Sequence, residues 1–170
     1  MLSEDYAASN EEASRSSQLP DVQDALLNAD ISFALQKLAM DGELPPDDHL
    51  DAEREFKRFM YLIANRREPM VMISPVIDRV WHQMVLFTGK YRTFCDVTVG
   101  FFVDHTPETD EEPIGFEAAN NFLRGYRENW GDLPDIWLRE LPSEIALAYR
   151  RYPLREKPNV RWSGWTGRLQ

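Results

Sequence analysis

The chain has 170 residues, enough for one domain with a substantial buried core. Its formal net charge of −10 opposes nonspecific attraction to nucleic acid or anionic membrane surfaces, so neither is an expected partner. A single cysteine excludes an intramolecular disulfide, and no apolar stretch approaches the roughly 20 residues of a membrane-spanning helix. Together with an N-terminus that lacks a signal-peptide pattern, these features predict a cytoplasmic protein.

Both ends of the chain differ in composition from the middle. Residues 1–19 are rich in Ser, Glu, Asp and Ala and lack an apolar period, which predicts a disordered acidic tail. Residues 20–152 have the apolar periodicity of a helical domain. Residues 153–170 are a predicted basic extension that contains Trp162 and Trp165. We expect this extension either to lie on the chain's own acidic surface or to dock on a partner through stacking and cation–π contacts.

Apolar residues at helical spacing predict an all-α fold, a single-domain irregular bundle of about five to six helices. The first predicted helix carries an apolar stripe from Val22 to Leu38, has a bend near Asp30, and ends at Gly42. The adjacent prolines of "ELPPDD" impose a turn, since proline does not fit inside a helix. A second helix is predicted over "HLDAEREFKRFMYLIANRR".

The next two predicted helices form a hairpin. The dipeptide "SP" supplies an N-cap and a first-turn proline for a third helix that runs to about Leu86. Thr88 and Gly89 interrupt it and introduce a fourth helix, "KYRTFCDVTVG". The acidic loop "FFVDHTPETDEEPIG" leads to a fifth helix, "FEAANNFLRGYRENWGD". A short turn, "LPDIWLRELP", and a short terminal helix capped by Ser143 complete the predicted domain.

The hairpin concentrates the residues with reactive side chains. Asp78 and His82 are four residues apart, so they lie on one helix face, where the carboxylate orients one imidazole nitrogen. If the chain reverses at Thr88, Cys95 on the returning helix approaches His82, and the following loop delivers His105. A thiolate and two imidazoles suit zinc or another transition metal, with Asp78 as a fourth ligand or as the partner of an imidazole.

Three interpretations of these residues remain open. They form a metal or ligand site, or a structural polar cluster in which Cys95 is simply part of the core. The third interpretation is a Cys/His nucleophile, which needs a lowered pKa at Cys95. The sequence has no evident oxyanion hole or phosphate-binding loop, so it assigns no reaction and leaves open whether the protein is an enzyme. The remaining histidine, His49, is expected to be a surface residue at a helix start.

The ordered pattern D-x-x-W-H-x(5)-T-x-x-Y-x-x-F-C-x(4)-G-x(4)-H-x-P spans Asp78 to Pro107. It resembles the hallmark of small bacterial proteins described as glycine-rich-domain-containing-protein-like, which are similar to the N-terminal module of plant glycine-rich domain proteins. The resemblance implies that His82, Cys95 and His105 act together, and it supplies no reaction. Plant relatives often have a second histidine at the position of Met84, so a metal site that uses it would differ here.

Two functional hypotheses follow from the sequence. The favoured one is a small helical domain that binds a metal ion or a small ligand through Asp78, His82, Cys95 and His105. The alternative is an acidic protein–protein interaction module, such as an adaptor or an immunity-type inhibitor, in which the motif is structural. The net charge and the acidic residues between Asp104 and Glu112 favour this alternative, and a protein is the expected macromolecular partner.

Overall fold

A computed structural model describes residues 21–66, 68–105 and 115–154, and the structural statements below refer to those ranges. They contain eight α-helices and one 3-10 helix, and none of these residues belongs to a β-strand. The all-α prediction is confirmed. The helices are α1 (Val22–Asn28), α2 (Ser32–Met40), the 3-10 helix (Pro46–Asp48), α3 (His49–Asn65), α4 (Pro75–Leu86), α5 (Thr88–Thr98), α6 (Phe116–Trp130), α7 (Asp135–Leu138) and α8 (Ser143–Arg150).

Helix α4 lies at the centre of this arrangement. It packs against α2, α3, α5 and α7, while α3 also packs against α1 and α6. Its apolar face is fully buried at Ile77 and Val80, which meet a core that includes Phe59, Phe122 and Trp137. Burial of side chains of this size stabilises the fold by roughly 1.5–3 kcal/mol each. Because four helices surround α4, its polar residues are held in fixed positions.

The described helices outnumber the predicted five to six. The single predicted first helix is two helices, since Ala29 is extended and the Asp30 carboxylate accepts a hydrogen bond from the Ser32 amide at 2.9 Å. That local bond competes with helix continuation. The predicted turn "LPDIWLRELP" contains α7, whose Trp137 is completely buried. Ser143 begins α8 but does not cap it with its side chain, because the N-cap position is Pro142.

The predicted tails fall largely outside the described residues. Residues 1–19 and 155–170 are among those not described, and so are residues 106–114 of the acidic loop. The described body ends at Leu154, which is buried and donates its amide to Asn120 Oδ1 at 3.0 Å. Among the described helices, none has the length and apolar character needed to cross a membrane.

Candidate metal centre

The start of α4 places Asp78 in the first helical turn. Ser74 Oγ accepts a hydrogen bond from the Ile77 amide at 3.2 Å, as the sequence predicted for an N-cap. The same hydroxyl donates to the Ile136 carbonyl at 3.2 Å, which joins the beginning of α4 to α7. The Asp78 side chain is only 4% exposed, and the positive end of the helix favours its carboxylate there.

Two imidazoles converge on the Asp78 carboxylate. His82 Nδ1 lies 2.6 Å from Oδ2, and His105 Nε2 lies 2.9 Å from Oδ1. The two imidazole rings also contact each other, with their centroids 4.3 Å apart. One ligand-type atom from each of the three residues lies within 4.8 Å of the others, so the group could hold a metal ion. We refer to Asp78, His82 and His105 as the Asp78 cluster.

The two histidines differ in their access to solvent. The His82 side chain is 43% exposed, whereas that of His105 is 7% exposed. Trp81 covers part of His105, because the two rings meet edge to face with centroids 4.4 Å apart. The Asp78 cluster is therefore accessible through His82.

Asp78 changes the pKa of His82. The hydrogen bond from His82 to the carboxylate raises the pKa of His82, and partial burial opposes that increase. A metal ion would compete with the proton on this imidazole, because only the unprotonated nitrogen is a ligand.

Cys95 is not among the clustered ligand atoms. Its side chain is completely buried, beside the Tyr91 hydroxyl and the backbone of Val103. Burial raises the pKa of Cys95, which is the opposite of what a nucleophilic cysteine needs. Of the four predicted site residues, the structure thus brings together Asp78, His82 and His105 and leaves Cys95 in the core.

The sequence analysis gave no role to two aromatic residues beside the cluster. Trp81 Nε1 donates to the Tyr91 hydroxyl at 2.8 Å, and that hydroxyl donates to the Val103 carbonyl at 2.6 Å. Trp81 and Tyr91 are both fixed positions of the ordered motif, and this was the available sequence signal for their role.

His49, predicted to lie on the surface, is half-buried at the start of α3, and its Nε2 is buried without a hydrogen-bond partner.

A family model described as UCP032817-like matches residues 29–130, more than half of the chain, and the match includes the whole Asp78 cluster. No curated protein and no solved structure matches the chain significantly. The expected relationship to glycine-rich-domain-containing proteins is wrong, because the matching family is a different one and nothing in these comparisons indicates the expected family.

Proposed function

The chain belongs to the UCP032817-like family, an uncharacterised family, and we therefore propose its function from the Asp78 cluster: binding of a divalent transition-metal ion, with zinc as the first candidate. The observation that carries the proposal is the convergence of one carboxylate and two imidazoles within 4.8 Å of one another. Of the two alternatives predicted from sequence, a metal ion or a small ligand, the metal ion is favoured by this donor set.

The chemistry of the donors supports a borderline metal ion. Imidazole nitrogen suits zinc, copper, iron and nickel, whereas sites made only of oxygen suit magnesium and calcium. Two imidazoles with one carboxylate are a recurrent ligand set for zinc and for non-haem Fe(II). Three protein ligands leave room in the coordination sphere for water or another donor, which is typical of reactive rather than purely structural zinc sites.

The spacing of the donors also favours a metal ion. The nitrogens of His82 and His105 lie 2.6 and 2.9 Å from the two oxygens of Asp78, which are hydrogen-bond distances. Donors that are each about 2.1 Å from a tetrahedral zinc ion are separated by roughly 3.4 Å. An increase of less than about 1 Å in these separations would therefore admit the ion. The half-exposed His82 has the space to make this adjustment.

Metal binding is tested on protein purified without a histidine tag. We expect elemental analysis to find close to one equivalent of zinc or iron, and calorimetry to find saturable Zn²⁺ binding after treatment with a chelator. The variants His82→Ala and His105→Ala should lose this binding while retaining their helical circular dichroism. His49→Ala is the matched control, because it removes the remaining histidine, which is not part of the cluster. Wild-type protein that neither retains nor takes up an ion would refute the proposal.

A protein-interaction function is the second candidate, and one surface feature favours it. Phe101 and Phe102 are 47% and 44% exposed and lie on the segment that leads to His105. Exposed neighbouring aromatic side chains are common at protein interfaces. A pull-down with wild-type protein should recover a partner that the variant Phe101→Ser/Phe102→Ser does not recover. Recovery of the same partner by both proteins, or of none, would count against this surface.

A further inference from the structure

The backbone of the segment that carries His105 is attached to α5. Tyr91 Oη donates to the Val103 carbonyl at 2.6 Å. The buried Cys95 side chain lies beside this bond. Val103 is therefore held by a side chain of α5, two residues before His105.

Trp81 orients the hydroxyl that makes this attachment. Trp81 Nε1 donates to Tyr91 Oη at 2.8 Å, so the single hydroxyl proton remains available for the Val103 carbonyl. The indole ring of Trp81 contacts the His105 ring at the same time, with the centroids 4.4 Å apart. Trp81 thus contacts the His105 ring directly and also directs the proton of the Tyr91 hydroxyl towards the Val103 carbonyl.

His105 needs such an attachment because it is not on α4. Asp78 and His82 are both on α4, and the helix itself sets their relative position. His105 follows α5 in an irregular segment, so its distance from Asp78 depends on where the backbone of that segment lies.

We infer that Tyr91 and Trp81 are positioning residues that hold His105 at ligand distance from Asp78 by fixing the backbone of Val103. The inference rests on the proposed metal function. Tyr91, Cys95, Trp81 and Val103 are 1, 0, 7 and 7% exposed, so water does not readily replace a lost partner. Loss of the Tyr91 hydroxyl would leave an indole N–H and a carbonyl unpaired, and their relaxation would move Val103.

The test compares two buried tyrosines. Tyr91→Phe removes the hydroxyl from the attachment, and Tyr126→Phe removes an equally buried hydroxyl that donates to Glu55 on α3 instead. Both variants are first shown to be folded by circular dichroism, and the dissociation constants for Zn²⁺ are then measured by calorimetry. We expect binding to weaken about 10–100-fold in Tyr91→Phe, as for other residues that orient metal ligands, and to stay unchanged in Tyr126→Phe. Equal affinities of Tyr91→Phe and wild type would overturn the inference.

A spectrum of the Co²⁺-loaded protein tests whether Cys95 is a metal ligand. Because Cys95 is not among the clustered donors, we expect the wild-type spectrum to lack a thiolate-to-Co²⁺ charge-transfer band. A thiolate band that disappears in Cys95→Ala would make Cys95 a ligand and contradict the donor set of the proposed function.

Nuclear magnetic resonance of the metal-free protein separates this inference from the proposed function. The imidazole resonances of His105 should shift in Tyr91→Phe, but not in Tyr126→Phe. If the wild-type protein binds no metal and these shifts are nevertheless present, the metal function is refuted and the positioning of His105 is supported. Unchanged His105 resonances in Tyr91→Phe would refute the positioning itself.

Discussion

Two buried carboxylates, Glu55 on α3 and Asp78 on α4, have different kinds of partners. Glu55 is completely buried, and its oxygens accept hydrogen bonds at 2.5–3.0 Å. The donors are two guanidinium groups, a tyrosine hydroxyl and an indole N–H, which belong to Arg54, Arg58, Tyr126 and Trp137. Guanidinium and indole groups keep their protons at all physiological pH values. The Glu55 network is therefore permanent and structural.

Asp78 is surrounded by groups of another kind. Among the described residues, the partners of its carboxylate are the imidazoles of His82 and His105. A nitrogen that has lost its proton is a metal ligand. Burial of a carboxylate alone therefore does not indicate a functional site, whereas the chemistry of its partners does.

Replacement of Glu55 should have the largest effect on stability. We expect Glu55→Ala to lower the free energy of unfolding by about 3–5 kcal/mol, because it leaves buried donors and cations without their acceptor. Urea denaturation measures the loss. Glu53→Gln is the control, since Glu53 is on the same helix but remains partly exposed in its pair with Lys57, and we expect it to cost less than Glu55→Ala. If Glu55→Ala and Glu53→Gln lowered the free energy of unfolding by similar amounts, a structural role of the Glu55 network would be contradicted.

Asp78→Asn should affect metal binding far more than folding. The amide retains one acceptor oxygen but turns an N–H group towards an imidazole, so we expect a stability loss of about 1–3 kcal/mol. Zn²⁺ binding should be lost, because a neutral amide is a poor ligand for this ion. Calorimetry and urea denaturation give the two quantities. Asp96→Asn is the control, because Asp96 is exposed on α5 and its replacement should change neither Zn²⁺ binding nor stability. Retained Zn²⁺ binding in Asp78→Asn would mean that the ion binds elsewhere.

The two histidines of the cluster should contribute unequally to the stability of the metal-free protein. His105→Gln should cost about 1–3 kcal/mol, because its side chain is buried against Trp81 and bonded to Asp78. His82→Gln should cost less than His105→Gln, because the His82 side chain is 43% exposed and water can replace its imidazole at the Asp78 carboxylate. Denaturation in the presence of a chelator measures both values. Equal costs would indicate that exposure does not distinguish the two imidazoles.

The smallest effect should be the pH dependence that His82 gives to the metal-free protein. The Asp78 carboxylate raises the pKa of His82 above its ordinary value of 6.5. The resulting stabilisation is fully present below that value and is lost as pH rises through the higher pKa of the folded state. Metal affinity should change in the opposite direction, because protons compete with the ion. Denaturation and Zn²⁺ titration at pH 6 and pH 8 test both trends, and His82→Gln should remove the difference in stability.

The sequence predicted the positions of most long helices because their apolar residues recur at helical spacing. The predicted starts of α3, α4 and α6 agree with the structure, since a proline turn, a Ser-Pro cap and a glycine-bounded apolar stripe are local signals. The break at Asp30 was predicted only as a bend. Helix α7 was missed because four residues carry too little periodicity to indicate a helix, although tertiary burial of Trp137 stabilises it.

The candidate site was predictable only in part, for a similar reason. The pairing of Asp78 with His82 follows from a spacing of four residues on a helix, and the hydrogen bond between them is present. The sequence predicted that His105 approaches His82 only if the chain reverses at Thr88 and the following loop folds back. Burial of Cys95 in the core was one of the interpretations left open, because sequence spacing does not specify which side of α5 faces the cluster.

The sequence by itself determined the all-α class, the place of the hairpin helices, and the Asp78–His82 pair, because each depends on interactions between residues close in the chain. Tertiary structure alone decided that His105 joins this pair and that Cys95 is buried outside it. The position of His105 depends on the path of the backbone after α5, which is set by long-range packing and by the hydrogen bond from Tyr91. Local periodicity contains no information about that path.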